Sequence, residues 1–303
     1  MRVVVIGAGA MGGIFASQLE HAGADTVIVD TNAEIAQSVA SAGLRVRTPD
    51  GVATTHPRVA SEIPDDFDLA FVFVKAQHTA SAACGLRSKA EQATVVSLQN
   101  GWGNADVLAG SVASERLVIG VTYHSGTTTA PGVIDHTGTG PTFVGPLSGR
   151  DLTRAHAVRD LLSSAAFEVE ATADVETEIW KKLVLNAATL PVAALTGLPA
   201  GEVERTPEVL AVADALAGEA VDVARARGLA IDLDERLDRI HTVLRGAGKG
   251  KASMLQDVEA RRKTEIEAVT GAVIHAGATL GVATPLSSAM LALVHGMERS
   301  WSL

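Results

Sequence analysis

Apolar and polar positions alternate with two different periods along this chain, and the change of period divides it. Val3-Val4-Val5-Ile6 is a short β-branched run cut off by glycines. From residue 11 to 22 apolar residues recur at helical spacing until Gly23 closes the segment. Val27-Ile28-Val29 follows and ends at Asp30, so the opening stretch predicts strand, helix and strand in one βαβ unit. Residues 69–74, 94–98 and 117–121 predict further buried strands, with helix or loop between them. Strands that alternate with crossovers predict a parallel, doubly wound sheet. After about Val169 the β-runs give way to long Ala/Leu/Glu/Arg-rich stretches at helical spacing, punctuated by Gly197-Leu198-Pro199, Gly228 and Gly246-Ala247-Gly248. The expectation is an α/β domain over 1–170 and an all-α domain over 171–303.

Composition agrees with that division. At 303 residues the chain exceeds what one core usually organises, and 47% apolar against 20% charged residues is a globular profile. Aromatics are 3%, so Ala, Val and Leu must fill the interior. A net charge of -10, with no basic run longer than Arg261-Arg262-Lys263, argues against a nucleic-acid partner. Cys84 is alone and cannot form an intrachain disulfide, and no Cys/His cluster has zinc spacing, so no metal is expected. The apolar stretch from Val3 to Ile6 is too short for a signal h-region or a membrane span, and a reducing, cytoplasmic location is the expectation.

Gly7-Ala8-Gly9-Ala10-Met11-Gly12 is a GxGxxG run lying directly after a predicted strand and opening a predicted helix. In that setting the first glycine permits the tight turn, the second lets backbone approach a pyrophosphate, and the third lets helix and strand pack closely. The helix N-terminus then faces the phosphates, which makes this a Rossmann dinucleotide site. Asp30 closes the second strand about twenty residues after the motif, where an acid accepts hydrogen bonds from ribose hydroxyls. Its charge opposes a 2′-phosphate and Thr31-Asn32 supply no cation, so NAD is expected, with NADP left open should Arg45 or Arg47 fold back. Asp30 also reads as a solvated acid beginning a turn.

Four further segments, taken with the glycine motif, resemble the ketopantoate reductase (2-dehydropantoate 2-reductase) family: Val74-Lys75-Ala76-Gln77; Gln99-Asn100-Gly101-Trp102-Gly103; Ile179-Trp180-Lys181-Lys182-Leu183-Val184-Leu185-Asn186; and Ser253-Met254-Leu255-Gln256-Asp257 with Thr264-Glu265-Ile266. The resemblance spans nearly the whole chain and implies reduction of a 2-keto acid to a D-2-hydroxy acid by hydride transfer from NAD(P)H, ketopantoate to pantoate being the named reaction. It implies Lys182 and Glu265 as the catalytic pair. It also implies Asn186 and Ser253 as substrate contacts, Lys75 and Asn100 as contacts to the nicotinamide half of the cofactor or to substrate, and Gln77 and Gly101 as shaping the same cofactor-binding loops.

The chemistry of the residues is compatible with these roles. Ketone reduction leaves charge on oxygen, and a lysine ammonium can protonate it. Asn186 lies one turn beyond Lys182 on the same helix face, which together with the family pattern selects Lys182 over Lys181. Without the resemblance, Lys182 and Lys75 read as solvated lysines and Asn100-Gly101 as a turn. Ser253 and Glu265 would stand about 18 Å apart in one unbroken helix at ~1.5 Å per residue, so joint contact with a small substrate requires an irregular 253–256 and a helix starting near Asp257. Ser253 also reads as the start of a capping box. His78, His124 and His136 read as structural.

Two positions depart from the family pattern. Leu190 stands where pantoate-forming members usually have an asparagine, and Asp30-Thr31 where NADP-using members usually have an arginine. Leu190 is therefore a candidate substrate contact for an apolar group, because a buried hydroxyl without a partner costs about 1–3 kcal/mol. The alternative reading is an NAD-dependent D-2-hydroxy acid dehydrogenase of the mandelate type, acting on branched or aromatic acids. A dinucleotide-sensing protein without turnover is the alternative of a different class. The apolar segments 268–280 and 286–294 could pack within the helical domain or pair two copies into a homodimer.

Overall fold

The computed structural model describes residues 1–89 and 92–302. They divide into two compact units: Met1–Gln99 with Asn104–Val175, and Asn100–Gly103 with the chain from Glu176 onward.

In the first unit β1 (Arg2–Ile6), α1 (Ala10–His21) and β2 (Asp25–Val29) form the expected βαβ opening, with Val4 opposite Val27 in a parallel pair. The chain continues through α2 (Ala33–Ala42), β3 (Leu44–Thr48), β4 (Gly51–Thr55), β5 (Arg58–Ala60), β6 (Leu69–Val72), α3 (Thr79–Leu86), β7 (Thr94–Ser97), α4 (Asn104–Ala109) and β8 (Leu117–Thr122). It then adds β9 (Ser125–Ala130), β10 (Val133–Gly138), β11 (Thr142–Pro146), α5 (Thr153–Ser164) and β12 (Val169–Ala171). Eight strands make one sheet in the order β12-β11-β8-β7-β6-β1-β2-β5. It is the doubly wound sheet expected from the sequence, parallel except that β11 runs antiparallel to β8.

The strand order reverses at β1 and β6, the kind of switch point where open α/β sheets bind ligands. Along β1, Val3 and Val5 join one apolar layer, with Phe15, Ile28 and Phe71. Val4 and Ile6 join the other, with Ala70, Leu86 and Val95. A strand covered on both faces must be apolar at every position, which is why these strands were legible as continuous runs.

A second sheet, ordered β4-β3-β10-β9, packs against α1. A Cβ at Gly13 of α1 would lie 2.0 Å from Ile134 Cδ1 of β10, so a larger residue there would push the end of the Ile134 side chain aside. The sequence pattern missed this sheet. β9, Ser-Gly-Thr-Thr-Thr-Ala, shows no apolar alternation, and although β3 alternates buried Leu44 and Val46 with exposed Arg45 and Arg47, that pattern spans only five residues. Arg47, on β3, is engaged by Asp135 and Thr129 of the same sheet.

The second unit contains α6 (Val175–Thr196, whose first residue falls in the first unit), α7 (Ala200–Arg205), α8 (Pro207–Ala226), α9 (Leu233–Ala247), α10 (Ser253–Glu259), a π-helical turn (Glu267–Gly271) leading into α11 (Ala272–Leu280), and α12 (Pro285–Ser300). α8 and α12 each open on proline, and the helices before Gly197 and Gly248 stop at those residues. Trp180, Leu183, Val184, Leu216, Val221, Val269 and Val273 are among its core residues. Among the described residues no helix is long and apolar enough to cross a membrane.

One expectation about this unit needs correcting. Residues 253–256 are not irregular, because α10 begins at Ser253 and the helix is interrupted after Glu259 instead. Arg261 takes a φ of +50°, and Arg262 returns its N–H to Asp257 O at 2.8 Å. Nor does Ser253 open a capping box: the N-cap is Ala252, and no side chain caps the helix there. A break between Ser253 and Glu265 does exist, about two turns later than expected.

Candidate active site

The glycine turn is built as its spacing requires. Gly7 has φ +99°, and a Cβ on it would come within 2.9 Å of Val74 N; a Cβ on Gly12 would come within 1.8 Å of Gly7 O. Both glycines are therefore demanded by the fold. Gly9 is different, since a Cβ there would meet no protein atom within 4 Å. The space in front of Gly9 is thus left clear, and no side chain caps the N–H groups at the start of α1, which begins with Ala10 and Met11. Clear space beside unpaired donors at a helix N-terminus fits a pyrophosphate.

Asp30 anchors the same turn from β2: Oδ2 accepts from Ala8 N–H and Oδ1 from Asn32 N–H, each at 2.8 Å. Its carboxylate is therefore fixed in orientation beside the turn, as the turn-initiating reading expects. Lys75, half-buried, precedes a single 3₁₀ turn (Ala76–His78) that contains the exposed Gln77. Gln99 secures this loop, donating from Nε2 to Val74 O and to Thr79 Oγ1, both at 2.8 Å. His124 Nδ1 lies 2.9 Å from His136 Nε2, and burial lowers the His136 pKa.

In the helical unit the structure brings Lys182, Asn100 and Glu265 together. Lys182 Nζ donates to Asn100 Oδ1 at 3.0 Å. Burial, which strips water from the ammonium, lowers the Lys182 pKa to about 8, while the negative charge of Glu265 acts in the opposite sense. Such an amine holds a proton at neutral pH and gives it up readily, as a general acid requires. The neighbouring Lys181 is committed to Glu178 at 2.7 Å.

Asn186, one turn beyond Lys182, is only 9% exposed and its amide makes no hydrogen bond to another described side chain or backbone group. Leu190, a further turn on, is equally buried and belongs to the helical core. Ser253 is exposed at the start of α10. Among the described residues no group of three or more His, Cys, Asp or Glu could hold a metal ion.

The backbone around these residues is specialised. Gly101 has φ +87°, and a Cβ on it would stand 2.1 Å from Ala268 O. Trp102 N–H donates to that same carbonyl at 2.9 Å, so the Asn100 loop is seated on the π-helical turn that follows Glu265. On the other side of Glu265, Thr264 gives both its N–H and its Oγ1–H to Glu298 Oε1, at 2.8 and 2.6 Å. Sequence reasoning missed Glu298 and Arg227, which touch this arrangement from distant helices and belong to no local pattern.

Comparison with known proteins finds two family descriptions along the chain, "Ketopantoate reductase PanE/ApbA" over residues 3–149 and its C-terminal counterpart over residues 174–298. The chain is similar to 2-dehydropantoate 2-reductase of Archaeoglobus fulgidus, at 33% identity over 98% of both chains. It is also similar to that of Halobacterium salinarum, at 32% identity over 99% of both. Among solved structures it resembles a D-mandelate dehydrogenase in ternary complex with NADH and anilino(oxo)acetate, with a TM-score of 0.95 at 25% identity and full coverage of both chains. A PanE/ApbA family ketopantoate reductase from Ralstonia eutropha gives a TM-score of 0.90 at 28% identity, again with full coverage.

Proposed function

The chain belongs to the ketopantoate reductase family and is an NAD(P)-dependent oxidoreductase acting on a CH–OH group, and from that premise we propose that it reduces a 2-keto acid to the D-2-hydroxy acid, ketopantoate to pantoate being the reaction. The observation that carries this reading is the Lys182 ammonium, softened to a pKa of about 8 and aimed by Asn100.

Lys182 would give its proton to the substrate carbonyl oxygen as that oxygen becomes an alkoxide, and the resulting neutral amine would regain a proton from water. Asn100 would hold the Lys182 Nζ in line, and Asn186 would offer its unpaired amide to the polar end of the substrate. Glu265 would accept a hydrogen bond from the substrate hydroxyl and keep Lys182 charged between turnovers. Ser253 would meet the carboxylate region. A reduced nicotinamide dinucleotide, when bound, supplies the hydride. The residues suited to hold it are the turn Gly7-Ala8-Gly9-Ala10-Met11-Gly12, with Asp30 on the adenosine ribose and Lys75, Gln77, Asn100 and Gly101 toward the nicotinamide half. The Asp30 carboxylate, with Thr31 and Asn32 beside it, favours NAD over NADP.

Leu190 favours a second reading. A buried leucine on the Lys182–Asn186 face suits a branched or aromatic substrate group, and the similar D-mandelate dehydrogenase carries anilino(oxo)acetate. A panel of 2-keto acids run with NADH and NADPH in parallel separates the readings. Oxidation of NADH with ketopantoate supports the first, and a strong preference for branched or aromatic acids supports the second. Dinucleotide binding with no turnover of any acid would overturn both in favour of a sensor.

A further inference from the structure

Arg227 stands just beyond the last residue of α8, outside every segment so far given a role. Its guanidinium carbon lies 4.8 Å from the centroid of the Trp102 ring and 5.9 Å from that of Trp180, and its Nε donates to Glu176. The two indoles are themselves 5.9 Å apart and tilted by 52°. Trp102 comes two residues after Asn100, and Trp180 two residues before Lys182. One cation therefore spans the two chain segments that supply the acceptor and the donor of the Lys182–Asn100 hydrogen bond.

The chemistry suits arginine in particular. A planar guanidinium can stack on aromatic faces while its edge N–H groups bind a carboxylate, whereas a lysine ammonium is a point charge that cannot do both at once. Trp180 is fully buried although its Nε1–H finds no acceptor, so the position retains an indole whose polar edge is unused and whose ring meets the cation. Apart from this contact, Trp102 N–H on Ala268 O is a second tether for the loop.

We propose that Arg227 is a positioning residue: held by Glu176 and lying over the rings of Trp102 and Trp180, it keeps Asn100 in hydrogen-bonding register with Lys182. Its kinetic consequence rests on the 2-keto acid reading, while its structural consequence does not.

The test compares Arg227→Met and Arg227→Lys with the native chain by amide hydrogen exchange and by steady-state kinetics on whichever keto acid the panel identifies. In Arg227→Met, exchange at residues 100–103 should quicken by roughly tenfold or more while the cores of α8 and α9 keep their protection. The same variant should lose about tenfold in kcat, with KM for the keto acid and for NADH changing less than about threefold, as expected when a reacting group is misaligned and binding is spared. Arg227→Lys, which keeps a cation over the rings, should lie between the two. Unchanged exchange at 100–103, or faster exchange with an unchanged kcat, overturns the proposal. So does exchange that rises evenly across the helical unit, which would mark a residue of general stability only. If the native chain turns over no 2-keto acid, the activity reading fails by itself, and exchange at residues 100–103 alone decides whether Arg227 holds the loop.

Discussion

Lys182 Nζ donates to Asn100 Oδ1 across 3.0 Å, joining residues 82 apart in the sequence. A neutral amide is a suitable partner for a proton donor: it fixes the direction of the ammonium without the full charge that would raise its pKa strongly. If this amine protonates the alkoxide, Lys182→Ala should lower kcat/KM for the keto acid by roughly 10²–10⁴-fold, the span typical of a lost general acid. Initial rates at saturating cofactor measure it, and a loss below about fivefold would mean that another group carries the proton.

The pH dependence of reduction follows from the same amine. Because Lys182 must be protonated to act as the acid and its pKa lies at about 8, kcat for reduction should be level below that pH and fall as pH rises through it. Oxidation of the hydroxy acid needs the neutral amine and should rise over the same interval. Glu265→Gln removes the charge that opposes the depression, so the alkaline limb should move to lower pH. Rate profiles measured in both directions test this, and a limb that stays fixed in the glutamine variant would separate Glu265 from the titration.

Asp30 is tied to the glycine turn, and in the proposed function it also receives the cofactor's ribose. Asp30→Ala leaves the Ala8 and Asn32 N–H groups without their acceptor and removes a charged acceptor for ribose hydroxyls. A hydrogen bond to a charged group contributes about 1.5–3 kcal/mol, so KM for NADH should rise by roughly 10–100-fold. The preference for NADH over NADPH should shrink at the same time. Equal or better kcat/KM with NADPH in the native chain would contradict the role given to Asp30.

The acid at residue 265 depends on its neighbour. Thr264 is 3% exposed, and its N–H and hydroxyl both end on Glu298 of α12. Glu298→Ala should destabilise the helical unit by about 1–3 kcal/mol, the cost of a buried donor without its partner. The corresponding fall in Tm is roughly 2–4 °C for each kcal/mol. kcat should fall as well, because the segment carrying Glu265 loses its hold. Thermal melts and rates on the same preparation check both, and an unchanged Tm would show that Thr264 finds another acceptor.

The sequence was most informative where local pattern and tertiary role coincide. β1, α1 and β2 were legible because a doubly covered strand is apolar throughout and a tight turn needs Gly7 and Gly12. The helical half was legible from its period and from Gly197, Gly228 and Gly248. β9 and β10 were not: Ser-Gly-Thr-Thr-Thr-Ala carries no apolar period, and β10 buries Val133, Ile134 and His136 with only two adjacent apolar residues to announce a strand. The stop after Glu259 was misplaced for a different reason: Ala260-Arg261-Arg262-Lys263 contains neither glycine nor proline, and the turn relies on Arg261 accepting φ +50° while Asp257 and Glu298 secure its flanks. At the candidate site, Lys182, Asn186, Asn100 and Glu265 stood out through the family pattern, whereas Arg227 on Trp102 and Glu298 on Thr264 are long-range pairings that no spacing rule reports.

The assignment of Asn100–Gly103 to the helical unit bears on how the protein is made. A nascent chain exposes this tetrapeptide early, yet Trp180, Arg227 and Ala268, the groups that receive it, leave the ribosome 78 to 166 residues later. The α/β half can be synthesised in full while these four residues still wait for their partners. The Lys182–Asn100 pair cannot form before residue 182 has been made, and a fragment ending before residue 268 would lack the carbonyl on which the tetrapeptide is seated.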